Sequence, residues 1–303
     1  MLQTLKRFVK PLFAESRLAL YGWLSLVSQI LIVVTGGLVR LTGSGLGCPT
    51  WPKCTADSIT TVPAQGLHGV IEFANRLLTF ALLVIAVLTL VAVVRSSVRK
   101  ALKLTWPAIW LFLGIPAQAL LGGFTVLTKL NPWLVGAHFV LSGIMIAIAS
   151  VLVWRIKQPA TQIIPSMVYN LGWPTTIFGA ITVIIGVLVT GAGPHAGDAN
   201  SVRNGLNLEV WFHYHSYPAY IMLTLVIMQF GLLLRVERPK FGAERSLALN
   251  ISGLLLAVSI IQAVVGVAQA RLGVPALLVG IHMLGASVLV SLLTFNFLST
   301  RAK

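Results

Sequence analysis

The chain has 303 residues, 57% hydrophobic and 10% charged, with a mean hydropathy of +0.91. A soluble domain carries about a quarter charged residues, so these values exclude one and indicate a polytopic membrane protein. The net charge of +15 suggests a nucleic-acid partner, but the placement of the basic residues argues against it.

Apolar runs near or above the ~20 residues that cross a bilayer stand at 18–41, 67–94, 103–128, 132–154, 167–192, 209–234, 246–270 and 275–297. They predict an all-α protein of eight transmembrane helices. The first run is too long for a signal-peptide core and lacks a small-residue cleavage site, so it is expected to remain as an anchor. Lys6, Arg7, Lys10 and Arg17 precede helix 1; Arg95, Arg99, Lys100 and Lys103 lie between helices 2 and 3; Arg155 and Lys157 lie between helices 4 and 5. Arg235, Arg238, Lys240 and Arg245 lie between helices 6 and 7, and Arg301 and Lys303 end the chain. The other side has Arg40, Lys53, Lys129, Arg203 and Arg271. This asymmetry follows the positive-inside rule and places both termini in the cytoplasm. The charge therefore sets topology, and no nucleic-acid partner is expected.

The halves repeat. QALLGG at 118–123 matches QAVVGV at 262–267, and GAHFVLSG at 136–143 matches GIHMLGAS at 280–287, both at an offset of 144 residues. Upstream, VTGGLVRLTGSG near 34–45 resembles VTGAGPHAG at 189–197. Two tandem four-helix bundles, 18–154 and 167–297, are expected, related by a pseudo-two-fold axis along the membrane normal. Residues 1–17 form a cytoplasmic N-terminus, 155–166 a cytoplasmic linker and 298–303 a cytoplasmic tail. Two external loops are long enough for function: 42–66, with GSGLGCPTWPKC, and 193–208, with GPHAGDANSVRNG.

Six histidines stand beside only seven acidic residues. His68, His138, His215 and His282 each fall a few residues below the same end of an even-numbered helix. An imidazole in hydrocarbon needs a partner. One such ring is explained by a neighbouring carbonyl, whereas four at matched depth suggest axial ligands of iron porphyrins. His195 lies in a loop, where solvation is the default, and His213 is two residues from His215 and so on another face.

Helix 2 opens with HGVIEFANR, and at 100° per residue His68, Glu72 and Asn75 fall within roughly 60° of one another. Glu72 is the acidic residue well inside a helix. It is a candidate for proton transfer, and a structural pair with Arg76 or His68 is the alternative. Arg76 is expected to meet a propionate or another anion, because an unpaired guanidinium at this depth is costly. Glu209 suits the start of helix 6. Cys48 and Cys54, the two cysteines, lie in an external loop where a disulfide is the default, as a staple or as a redox pair. No further cysteine or histidine stands in that loop to complete a zinc site.

Together these residues resemble the heme A synthase family of the bacterial type, with a look of its actinobacterial branch. The resemblance spans nearly the whole chain: eight helices, tandem halves, the GSGLGCPxWPxC loop and histidines in helices 2, 4, 6 and 8. It implies a membrane oxidoreductase that converts a methyl group of heme O to the formyl group of heme A by successive hydroxylation, with water as oxygen source, for cytochrome oxidase assembly. It implies heme b between His215 and His282, and heme O in the N-terminal half with His138 as a ligand. The family's helix 2 motif, Glu-x-x-His-Arg, here reads Glu72-Phe-Ala-Asn75-Arg76. Either His68 replaces the missing ligand or the substrate iron keeps an open or water-occupied position. The arginine that usually follows the helix 6 histidine is Ser216. Heme O synthase, an electron acceptor, membrane lipid and a second copy of the chain are the implied partners, and a bacterial cell membrane is the implied location, with the heme sites towards its outer side. A diheme cytochrome b-like electron carrier and a non-catalytic heme-handling protein are the alternatives.

Overall fold

The structure, a computed structural model, describes residues 13–159, 164–237 and 246–301. Eight long helices follow one another: α1 Leu18–Leu41, α2 Gly66–Arg95, α3 Thr105–Leu127, α4 Pro132–Lys157, α5 Ser166–Ala192, α6 Leu208–Glu237, α7 Leu247–Arg271 and α8 Ala276–Ser299. All eight are long and apolar enough to cross a membrane, and no strand occurs among the described residues. In hydrocarbon a backbone must satisfy its own hydrogen bonds, and a helix does so within one segment.

The ends are set by local chemistry. The Asn131 side chain accepts from the N–H groups of Trp133 and Leu134 at 3.0 and 3.4 Å, with Pro132 as first helical residue, which satisfies donors a helix start leaves free. Ser246 does the same for Leu249 at the start of α7. Helix α4 continues to Lys157, so Arg155 is helical instead of opening a linker, and α8 runs to Ser299. Lys6, Arg7, Lys10, Arg238, Lys240, Arg245 and Lys303 lie outside the described residues, as does the linker's 160–163 stretch.

Helix α1 packs against α2 and α4, and α3 against the same two; α5 packs against α6 and α8, and α7 against those two. The two sets meet where α1 and α4 lie against α8, and α4 against α5. Small and hydroxyl residues serve these contacts, as expected where lipid is as apolar as leucine. Ser150 of α4 donates to Ser291 of α8 at 3.0 Å, both buried. A side chain at Gly37 of α1 would strike Met283 of α8 at 2.8 Å. Leucines and valines such as Leu20, Val84, Val264 and Leu277 are exposed, in keeping with a lipid-facing surface.

Candidate functional site

One end of the bundle carries the two long loops, and the residues expected to be functional gather there. In the first loop Cys48 and Cys54 are joined by a disulfide, with both side chains fully buried. Trp51 reaches down onto α3, where a side chain at Gly123 would meet its ring at 2.5 Å. The loop therefore covers the end of the N-terminal helices.

Glu72 anchors this loop. Its Oε2 accepts from the Cys48 N–H at 2.5 Å, and its Oε1 accepts from Nε and Nη2 of Arg76 at 3.1 and 2.5 Å. Arg76 also donates through Nη1 to the carbonyls of Thr50 and Lys53, and through Nη2 to that of Cys48. Those contacts engage all five guanidinium donors. Arg76, expected on a propionate or another anion, is here a clamp on the cysteine loop with Glu72 as its counter-ion, the structural pair kept as the alternative; this is the salt bridge among the described residues. A carboxylate has about four acceptor positions, so three bonds leave Glu72 one more.

If the disulfide and this clamp hold the loop together, unreduced protein should show no thiol open to alkylation, and mass spectrometry should find both cysteines modified only after reduction. Changing both to serine should cost about 2 kcal/mol of loop order, read as faster proteolysis between Gly47 and Val62 with the eight helices intact.

The second loop locks onto the first. The Gly45 N–H donates to the Gly197 carbonyl at 2.7 Å. Arg40, near the end of α1, donates through Nη2 to the Thr190 carbonyl at 2.7 Å and through Nε to that of His195. The His195 Nε2 bonds the Val274 carbonyl at 2.9 Å. His195, expected to be solvated, instead ties this loop to the α7–α8 turn. His213 and Glu209 are exposed on the first turns of α6.

His138, His215 and His282 are the seventh, eighth and seventh residues of α4, α6 and α8. His68 is the third residue of α2, four to five residues nearer the start of its helix than they are. It is exposed, with its Nδ1 held by the Ser44 hydroxyl at 2.8 Å. Three of the four expected histidines thus share a place in their helices, and the fourth belongs to the loop end.

His215 and His282 face each other, with ring centres 6.2 Å apart and planes at 76°. A metal held at about 2 Å from one nitrogen of each ring would put ring centres roughly 6 Å apart. The His215 Nδ1 lies 3.0 Å from the Thr182 carbonyl, which can only accept. The proton therefore sits on Nδ1, and Nε2 keeps its lone pair, the tautomer an axial ligand needs. Among the described residues the Nδ1 atoms of His282 and His138 are buried without a partner. The residues therefore fit a porphyrin iron. Among the described residues no three or more His, Cys, Asp or Glu side chains converge on one point, and an iron already held by a porphyrin requires only axial ligands.

Two features escaped the sequence reading. Gln262 donates to the His282 carbonyl at 2.9 Å, and Gln118 to the His138 carbonyl at 3.3 Å. Gly122 and Gly266 lie against the same two imidazoles. The available signal was the repeat itself, because Gln118, Gly122 and His138 match Gln262, Gly266 and His282 at the one offset of 144.

Comparison with known proteins adds a family. The model of a family described as cytochrome oxidase assembly protein matches residues 19–294. Heme A synthase of Alkalihalophilus pseudofirmus is 27% identical over 183 residues, which is 59% of this chain and 59% of that protein. Heme A synthase of Bacillus cereus is 32% identical over 182 residues, 55% of this chain and 56% of that protein. A protoheme IX farnesyltransferase of Thermus thermophilus is 42% identical over 64 residues, 21% of this chain and 10% of that protein. The chain thus spans less than two thirds of the curated relatives it matches.

Proposed function

We propose, from the premise that the chain belongs to the cytochrome oxidase assembly protein family, that it acts as a heme A synthase. The observation that carries the reading is the His215–His282 pair, set 6.2 Å apart with the tautomer of His215 held by Thr182. These two would hold heme b, which supplies one-electron transfer when bound. His138 would ligate the substrate, heme O, in the N-terminal half. The two halves are read as a tandem repeat, both termini as cytoplasmic and both heme positions as lying towards the outer face.

Turning the methyl into a formyl group takes one water, and releases four protons and four electrons to an acceptor. The chain's own part is to position and to move protons. Glu72 is buried and has an acceptor position left, so it can take a proton from the water that attacks. The loop stapled by Cys48 and Cys54, with Trp51 on α3, keeps bulk water from the porphyrin edge. Heme O synthase is the natural source of substrate, and an electron acceptor is required by the balance.

The test is chemical identification of the hemes extracted from purified protein before and after heme O is supplied. We expect heme b in both samples, and heme A only after heme O is given together with an electron acceptor. Heme O recovered unchanged, with heme b present, would instead favour an electron carrier.

A further inference from the structure

Four glycines mark four equivalent places. Each of Gly36, Gly122 and Gly266 stands five residues before the end of its odd-numbered helix, and Gly186 stands six before. A Cβ at Gly122 would meet Cε1 of His138 at 3.3 Å, at Gly186 that of His215 at 2.9 Å, and at Gly266 that of His282 at 3.4 Å. Each glycine is thus a shelf on which the ring of the following helix rests. At Gly36 the one neighbour within reach of such a Cβ among the described residues is Nδ2 of Asn75, at 4.0 Å. The looser contact is what a side chain shorter than histidine leaves.

His68 is seven residues before Asn75, which is about 10 Å along the helix. Its Nδ1 is bonded to Ser44 at the loop end. Among the described residues the Asn75 Oδ1 is buried without a partner.

We propose that Asn75 occupies the fourth ligand position of the molecule, so that a porphyrin in the N-terminal half takes one imidazole, from His138, and meets an amide on its other face. This rests on the reading of His138 as an iron ligand. A neutral amide oxygen is a poor iron donor beside imidazole, so that iron is five-coordinate and high-spin, whereas the His215–His282 iron is six-coordinate and low-spin. The orphaned oxygen needs a donor. Glu72, three residues earlier, is roughly 60° away on the same helix face. A water between amide and carboxylate finds an acceptor in each, at the face left open. The departure from histidine is thus the means by which one half keeps a reactive face and the other does not.

The test is electron paramagnetic resonance of full-length protein loaded with ferric heme b in excess. Wild type should show one low-spin and one high-spin signal, and added imidazole should convert the high-spin share. Asn75→His should be low-spin in both sites without added imidazole. His68→Ala should match wild type, and Asn75→Leu should stay high-spin, with the unchanged His215–His282 signal as the control for folding. Two low-spin signals in wild type, or a spin change in His68→Ala, would overturn the proposal. A wild type that retains a single porphyrin, with His138→Ala indistinguishable from it, removes the N-terminal porphyrin site itself, and the proposal with it.

Discussion

Replacing His282 by alanine should abolish the low-spin six-coordinate heme b signal, and replacing His215 should do the same. Two imidazoles 6.2 Å apart act as a unit, so losing either leaves one ligand and a high-spin or empty site. The protein should also lose the stabilisation that a bound group confers, about 2.7 kcal/mol at a hundredfold excess over the dissociation constant. Gly186→Ala is the subtler companion, because its methyl would come within 2.9 Å of Cε1 of His215. The ring must move, and its bond to Thr182 weakens. Disturbing a bond that orients a metal ligand costs roughly 10–100-fold in affinity. Absorption and paramagnetic spectra of the three purified variants check this, and an unchanged low-spin signal in both histidine variants would defeat the assignment of heme b to this pair.

Much of the fold was legible because a membrane leaves few options. The eight expected spans agree with the observed helices to within a few residues. In the structure Asn131–Pro132, Ser246 and Pro275 stand at helix starts, local detail that hydropathy alone did not draw out. What stayed hidden is how the helices turn towards one another. In hydrocarbon both faces of a helix are apolar, so periodicity does not identify the inner one. Hence Gly36 and Gly186 could not be told from the rest of the 27 glycines, the repeat pairing only Gly122 with Gly266, and the motif did not show whether Asn75 or His68 faces Gly36 of α1. The Arg76 clamp was hidden for a different reason. Its acceptors are carbonyls of Cys48, Thr50 and Lys53, and a backbone carbonyl has no letter in a sequence. Arg40 on His195 and Thr190 is the same case. The anionic partner that Arg76 needs is Glu72, the pair the sequence allowed, and the loop carbonyls take its remaining donors.

Glu72→Gln should reduce heme A formation by roughly 10²–10⁴-fold, the range lost when a general base is removed, while heme b stays bound in the other half. The geometry makes this a demanding substitution. Both carboxylate oxygens accept, one from the Cys48 N–H and one from Arg76. A glutamine must turn its own N–H₂ towards one of those donors. An unsatisfied buried donor costs roughly 1–3 kcal/mol, so part of any loss could come from a loosened loop. A second variant separates the two causes. Gln65 bonds the Gly47 carbonyl at 2.8 Å and the Val62 N–H at 2.9 Å, so Gln65→Ala loosens the same loop and leaves the carboxylate in place. If Glu72 moves protons, Gln65→Ala should keep most of the turnover and Glu72→Gln almost none, although proteolysis finds both loops equally open. Glu72→Gln should then accumulate heme O or its hydroxylated form, because binding to His138 survives when proton removal does not. Equal losses in the two variants would assign Glu72 to the clamp alone, as counter-ion of Arg76, and the proton acceptor would have to be sought elsewhere on that face of α2.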